Sequence, residues 1–287
     1  MGKVALITGA SSGIGRELAK ELAAKSYDLI LIARKKDALE ELAEELRTKN
    51  NVRVWTVDHD LSDLSRINEL IERVKGLGVE INVLINNAGA GIYGPLNELN
   101  NEDIIRIISL NYITPILLTK GFIQDLIKNR GCVVNIISLA AFTPIPWFEI
   151  YTSSKAALAN LTDSLRIELK ALGIRVIGVY PGYVKTNFHN NTIVTKTTAK
   201  AREEPKGPLL NPNYVAKAIV KKIEDPNFNG NITPSTLYSI AHPLMRTLYP
   251  LVRYYIDKWF TSRSKGLLRI NSDNIQSCKT WDLLYLV

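Results

Sequence analysis

Six short runs rich in Val and Ile recur along the chain, at 4–7, 29–33, 52–57, 83–86, 133–138 and 175–179. Stretches of helical periodicity separate them, among them 15–25, 37–49, 102–128 and 151–172. Apolar residues are nearly continuous within each run. That pattern suits strands buried on both faces of a parallel sheet rather than strands with one wet face. Parallel neighbours need a crossover, and the intervening helices supply it as βαβ units. The sequence therefore predicts an α/β chain with a doubly wound parallel sheet of six to seven strands, the seventh near 230–234, and helices on both faces. With 287 residues, 46% of them hydrophobic and 22% charged, there is enough apolar material for one sizeable core. Residues 1–262 are expected to form that single domain, and the stretch 263–287 shows no periodicity. The segment 187–212 is rich in Thr, Asn, Lys and Pro and reads as a substrate-covering loop or helix pair.

The first run leads into Thr8-Gly9-Ala10-Ser11-Ser12-Gly13-Ile14-Gly15 and then a helix. Glycines at a strand-to-helix turn let the backbone approach a pyrophosphate, and the helix N-terminus offers free N–H groups and partial positive charge. The spacing is G-x-x-x-G-x-G, so the expected nucleotide cradle is Gly9, Ser11, Ser12, Gly13, Ile14 and Gly15 in a Rossmann-like fold. After the second run, where an acid would bind the ribose hydroxyls of NAD(H), the chain has Ala33-Arg34-Lys35-Lys36. A cation there suits the 2′-phosphate of NADP(H), which is thus favoured over NAD(H), with Arg34 the main contact and Ser11 and Lys35 assisting.

Tyr151 and Lys155 stand at i and i+4 of a helical segment, so phenol and ammonium share one face. A carbonyl that takes a hydride must also take a proton, and a free phenol, with a pKa near ~10, is a poor shuttle at neutral pH. A cation about 4 Å away contributes on the order of 4 kcal/mol at an effective dielectric of ~20, enough to lower that pKa by roughly three. Tyr151 is accordingly expected to titrate near neutrality.

Thr8–Gly15, Asp60-Leu61, Asn86-Asn87-Ala88-Gly89, Asn111, Ser138, Tyr151-x-x-x-Lys155 and Pro181-Gly182 occur in one order and at intervals that resemble the short-chain dehydrogenase/reductase family, in its short, single-domain branch. The resemblance covers about the first 190 residues and continues more weakly to Ser262. It implies Tyr151 as general acid/base, Lys155 on the nicotinamide ribose, and Ser138 on the substrate oxygen. It also implies Asn111 holding a water that links Lys155 to solvent. Asp60 would contact the adenine, Asn87 would support the cofactor's ribose side, and Val184 and Thr186 would meet the nicotinamide carboxamide. The implied activity is an NADP(H)-dependent oxidoreductase acting on a carbonyl or alcohol. A non-catalytic NADP(H) sensor or scaffold on the same fold is the alternative, and the joint presence of Asn111, Ser138, Tyr151 and Lys155 argues against it. An epimerase of the longer related branch is disfavoured by the glycine spacing.

Tyr93, Phe142, Trp147, Phe148, Tyr183 and Phe188 suggest a moderately apolar substrate, such as a ketone or ketoacyl group; the competing reading is that half of them serve core packing. The net charge of +8 comes from basic residues spread along the chain, which fits an anionic cofactor rather than nucleic acid. Two cysteines, Cys132 and Cys278, make neither a disulfide framework nor a metal site, and no metal is expected. With no signal peptide ahead of the first strand, a reducing, cytoplasmic setting is expected. Residues 241–260 read as amphipathic, with Leu244, Leu248, Val252, Tyr255 and Trp259 on one side and Pro250 placed to kink the helix. A pocket cover or subunit contact suits them better than peripheral contact with a membrane surface, because amphipathic helices usually face a protein core. The two long helices are expected to build a homo-oligomer, a dimer or tetramer.

Overall fold

Each residue of β1 (Val4–Thr8) and β2 (Asp28–Ala33) is buried, the condition for strands covered on both faces. A computed structural model describes residues 2–199, 209–235, 251 and 253–258 of the chain. Its further elements are α1 (Gly13–Ala23), α2 (Lys36–Asn50), β3 (Val54–Asp58), α3 (Ile67–Lys75), β4 (Val83–Asn86), β5 (Ile92–Tyr93), α4 (Asn101–Ile108), α5 (Thr114–Gly121) and α6 (Ile123–Lys128). Then follow β6 (Cys132–Ile136), α7 (Glu149–Lys170), β7 (Arg175–Val179), β8 (Ile193–Val194), α8 (Lys196–Ala199), α9 (Pro212–Glu224) and β9 (Asn231–Ile232).

Seven strands form one sheet in the order β3-β2-β1-β4-β6-β7-β9, and every pairing is parallel. This is the doubly wound arrangement expected, with the seventh strand in the expected place. Alternate residues of a strand face opposite sides. Ala5, Ile7, Leu29 and Leu31 therefore pack with α1, α2 and α9 through Leu18, Leu22, Leu42 and Ile219. Leu6, Ile30 and Ile32 pack on the other face with α3, α5 and α6 through Leu70, Leu118, Phe122 and Leu126. The chain runs from β1 outward to β3, then crosses back to β4 on the other side of β1. Such a reversal opens a crevice beyond the carboxyl ends of the strands.

Three features depart from the sequence-based expectation. The single helix expected over 102–128 is broken into α4, a π-helical turn at Ser109–Ile113, α5 and α6. A π-turn widens the helix by one residue and re-aims the side chains on it; such turns recur at functional sites. Here it carries Asn111. Within 187–212, Ile193–Val194 pairs in parallel with Ile92–Tyr93 as a separate two-stranded sheet, too short for periodicity to reveal. Of 241–260, residues 251 and 253–258 are described; Ile256 is buried, whereas Tyr255, expected on the covered side, is exposed. The rest of that segment and the stretch 263–287 lie outside the described residues. Among the described residues no helix is long and apolar enough to cross a membrane.

Candidate active site

The crevice is a cleft of about 780 Å³, lined by residues that follow β1, β2, β3, β4, β6 and β7. One end is built by the glycine turn. Gly9 has φ 66°, a left-handed conformation that a side chain disfavours. A Cβ on Gly15 would stand 2.3 Å from the Gly9 carbonyl oxygen and 2.5 Å from Asn87 Nδ2, so helix and turn touch backbone to backbone. Ser12 caps α1 without a side-chain hydrogen bond, which leaves that end of the helix to face the cleft.

Asn87 holds this turn from below. Its Nδ2 donates to the carbonyls of Thr8 (2.8 Å) and Gly9 (3.2 Å). Thr8 Oγ1 accepts from the N–H groups of Asn87 (2.9 Å) and Ala88 (3.0 Å) and donates to the Ile85 carbonyl (3.1 Å). Asn87 lines the cleft as expected, but its amide is engaged in shaping the turn. Thr8 opens the glycine-rich motif, but the sequence assigns it no role of its own.

Ser11, Arg34, Lys35, Asp60, Val184 and Thr186 all line the cleft, and Thr186 stands close against Gly13 of the glycine turn. Burial pushes the Asp60 carboxyl upward, yet hydrogen bonds from Ser62 and the nearby Arg106 and Arg34 guanidinium groups outweigh that and hold it below the usual range. Arg106 reaches Asp60 at 3.4 Å from α4 and lines the cleft, as does His59. Neither carries a sequence signal, because their placement depends on how α4 and the end of β3 meet.

At the other end, Ser138, Tyr151 and Lys155 converge. Ser138 ends the run of β6 and its hydroxyl oxygen accepts from the Ala140 N–H (3.1 Å). Lys155 Nζ donates to the Ile136 carbonyl (2.9 Å) and lies 5.9 Å from the centre of the Tyr151 ring. Asn111 Nδ2 donates to the Ala90 carbonyl (2.9 Å) and Ser154 Oγ (3.0 Å), while its Oδ1 accepts from the Ala90 N–H (3.0 Å). A Cβ on Gly89 would meet both Asn111 Oδ1 (3.2 Å) and Lys155 Nζ (3.3 Å), so these two side chains flank one narrow space.

The expected neutral titration of Tyr151 does not hold. Burial pushes its hydroxyl up to about 12, against a smaller opposing effect of the hydrogen bond with Ser138. Burial also pushes Lys155 down to about 8. Loss of water penalises both charged forms. Between pH about 8 and 10.5 the unfolded chain keeps a proton on Lys155 that the folded chain lacks, so stability rises with pH. Between about 10 and 12 the folded chain keeps the Tyr151 proton that the unfolded chain loses, so stability falls. We expect Lys155→Met to remove the rise, roughly 3 kcal/mol, in unfolding measured across that alkaline range.

Aromatic rings enclose Tyr151. Phe148 stacks on it with centroids 4.5 Å apart, and Phe188 tilts against it at 5.4 Å. Tyr93 and Trp147 pack behind them, and Phe142 packs instead on Tyr180 in a neighbouring cluster. Phe148, Tyr183 and Phe188 line the cleft, whereas Tyr93, Phe142 and Trp147 do not.

A glycine cradle at a topological switch point, continuous with Ser138 and the buried Tyr151 and Lys155, defines a dinucleotide-binding α/β oxidoreductase. A family profile described as short chain dehydrogenase matches residues 3–196. An NADP-dependent 3-hydroxy acid dehydrogenase of Schizosaccharomyces pombe is 38% identical over 190 residues, which cover 65% of this chain and 73% of that protein. Dehydrogenase/reductase SDR family member 7B of Xenopus laevis is 36% identical over 199 residues, and the chain spans only 61% of its length. Among solved structures, a short-chain dehydrogenase from Sphingobium yanoikuyae in complex with NADPH superposes with a TM-score of 0.73 at 26% identity, covering 96% of this chain and 98% of that one. The protein belongs to the short-chain dehydrogenase/reductase family of NAD(P)-dependent oxidoreductases.

Proposed function

We propose that the protein is an NADP(H)-dependent oxidoreductase of carbonyl and alcohol groups, acting on a moderately apolar ketone or ketoacyl-type substrate, with Tyr151 as general acid/base. The observation that carries this reading is the convergence of Ser138, Tyr151 and Lys155 at one end of the cleft, against the rings of Phe148 and Phe188. The residues fit the dinucleotide: the turn leaves no room for side chains at Gly9 and Gly15, and cations rather than an acid follow β2. When bound, the nicotinamide supplies or takes the hydride. Tyr151 hands its hydroxyl proton to the carbonyl oxygen, and Ser138 donates a hydrogen bond to that same oxygen as charge develops on it. Lys155 fixes the ribose and the electrostatics around Tyr151, and Asn111 braces the backbone at Ala90 beside it. The aromatic rings exclude water and accept the apolar part of the substrate.

The first test is NADPH and NADH oxidation across a panel of ketones and aldehydes. Turnover with NADPH supports the reading. Tight NADPH binding without turnover of any carbonyl would favour a sensor instead. Arg34→Glu is expected to weaken NADPH binding roughly 10- to 100-fold, since a charge-assisted bond to phosphate is lost and a repulsion gained, with NADH affected far less. Fluorescence titration with both nucleotides checks this, and equal losses for the two would remove Arg34 from the phosphate site. We also propose a homo-oligomer, supported by Ile105 on α4 and Ile167 on α7, which are 64% and 80% exposed. A monomer in light scattering would refute it.

A further inference from the structure

Residues 186–199 cross the substrate end of the cleft as a strap. Asn187, Phe188, His189, Asn190, Asn191 and Ile193 of this segment line the cleft, and Phe188 lies against Tyr151. The shape of the substrate end therefore depends on what fixes the strap. Its own secondary structure is slight, because β8 and β5 pair over only two residues each. Isolated pairs of that length are marginal in water.

Among the described residues, the hydrogen bonds that tie 193–199 to another segment run to 91–98. The N–H of Ile193 donates to the Gly91 carbonyl (3.0 Å), and both the Thr195 N–H (3.3 Å) and Thr198 Oγ1 (2.8 Å) donate to the Tyr93 carbonyl. Gly94 lets the strap pass closely, for a Cβ there would stand 2.2 Å from the Thr195 side chain. At the end of the row, Glu98 grips the start of α8. One carboxylate oxygen accepts from the Thr197 N–H (3.2 Å) and the other from the Thr197 hydroxyl. Behind this row, the Tyr93 ring meets Phe148 and Trp147 edge-on, and Phe148 stacks on Tyr151. A continuous line of contact thus runs from Glu98 to the proposed acid.

We propose that Glu98 is a positioning residue for the substrate strap: by clamping Thr197 to the 91–98 segment it holds Phe188 over Tyr151 and so sets which ketones the cleft admits. This rests on the carbonyl oxidoreductase function proposed above. Glu98 itself lies outside the cleft lining and acts through the part of the strap it holds, 193–199.

The test compares the full-length wild type with Glu98→Ala and Thr197→Val. Hydrogen exchange over 193–199 is expected to be about fivefold faster in Glu98→Ala, as for the loss of the two ionic hydrogen bonds to Thr197 at an exposed site where each is worth little. KM for bulky ketones should rise by about the same factor, with kcat and NADPH affinity within about twofold of wild type. Thr197→Val should show a smaller change in the same direction, and the double variant should be no worse than Glu98→Ala alone. Unchanged exchange overturns the proposal, as does faster exchange with KM unchanged, or an equal loss of NADPH affinity. A wild type that turns over no carbonyl would count against the proposed function instead, and the exchange arm, which needs no turnover, would still decide whether Glu98 holds the strap.

Discussion

Tyr151→Phe is expected to lower kcat by roughly 10²–10⁴-fold, the usual contribution of a positioned proton donor, while NADPH affinity and stability change little. The reason lies in what the substitution keeps. The ring is buried between Phe148 and Phe188, and a phenylalanine fills the same space. Only the hydroxyl and its hydrogen bond with Ser138 are lost. A matching drop in kcat and kcat/KM would mark an interaction made in the transition state, whereas a rise in KM alone would mark a packing role. Burial adds a direction to the expectation. With its pKa pushed up to about 12, Tyr151 carries its proton at neutral pH and is set to donate it. Carbonyl reduction should therefore keep its protonated donor across the neutral range, although so weak an acid transfers its proton less readily than one titrating near neutrality, and alcohol oxidation, which needs a proton acceptor, should rise with pH through the alkaline range. A pH profile in which oxidation peaks near neutrality, or a Tyr151→Phe variant that keeps its kcat, would remove Tyr151 from the acid/base role.

The sheet was legible because parallel strands covered on both faces leave an apolar run that stands out from its surroundings, as in Leu29-Ile30-Leu31-Ile32. The glycine turn and the Tyr151–Lys155 pair were legible because their partners are close in sequence and the local geometry follows from spacing alone. What stayed hidden depends on pairs distant in the chain. Asn111 could be picked out as a residue, but not the π-turn that aims it at Ala90 and Ser154. Arg106 meets Asp60 across 46 residues, and Glu98 meets Thr197 across 99. The Tyr151 pKa was misjudged for a related reason: sequence spacing gives the distance to Lys155, but desolvation comes from Phe148, Phe188 and the surrounding walls. The nearby cation was weighed without the burial that opposes it.

Gly15→Ala is expected to be the most damaging single-methyl change at the glycine turn, behind the residues that line the cleft. The added Cβ would lie 2.3 Å from a backbone oxygen, that of Gly9, which cannot yield without moving the whole turn. Overpacking of a rigid site costs about 1–3 kcal/mol and sometimes more. Because the Asn87 amide is anchored to Thr8 and Gly9, the displacement would reach the bonds that join the turn to the end of β4. NADPH affinity should fall with stability, by on the order of 100-fold, since the pyrophosphate cradle is the part displaced. Gly78→Ala separates this from a general glycine effect. Gly78 has φ 67° and a Cβ there would meet nothing within 4 Å, so the substitution strains the backbone without touching the cleft. It should cost about 1–2 kcal/mol and leave NADPH binding unchanged. Denaturant unfolding and nucleotide titration of both variants check the pair of expectations. Similar stability losses with intact NADPH binding in both would mean that the tight contact at Gly15 serves packing and not the nucleotide.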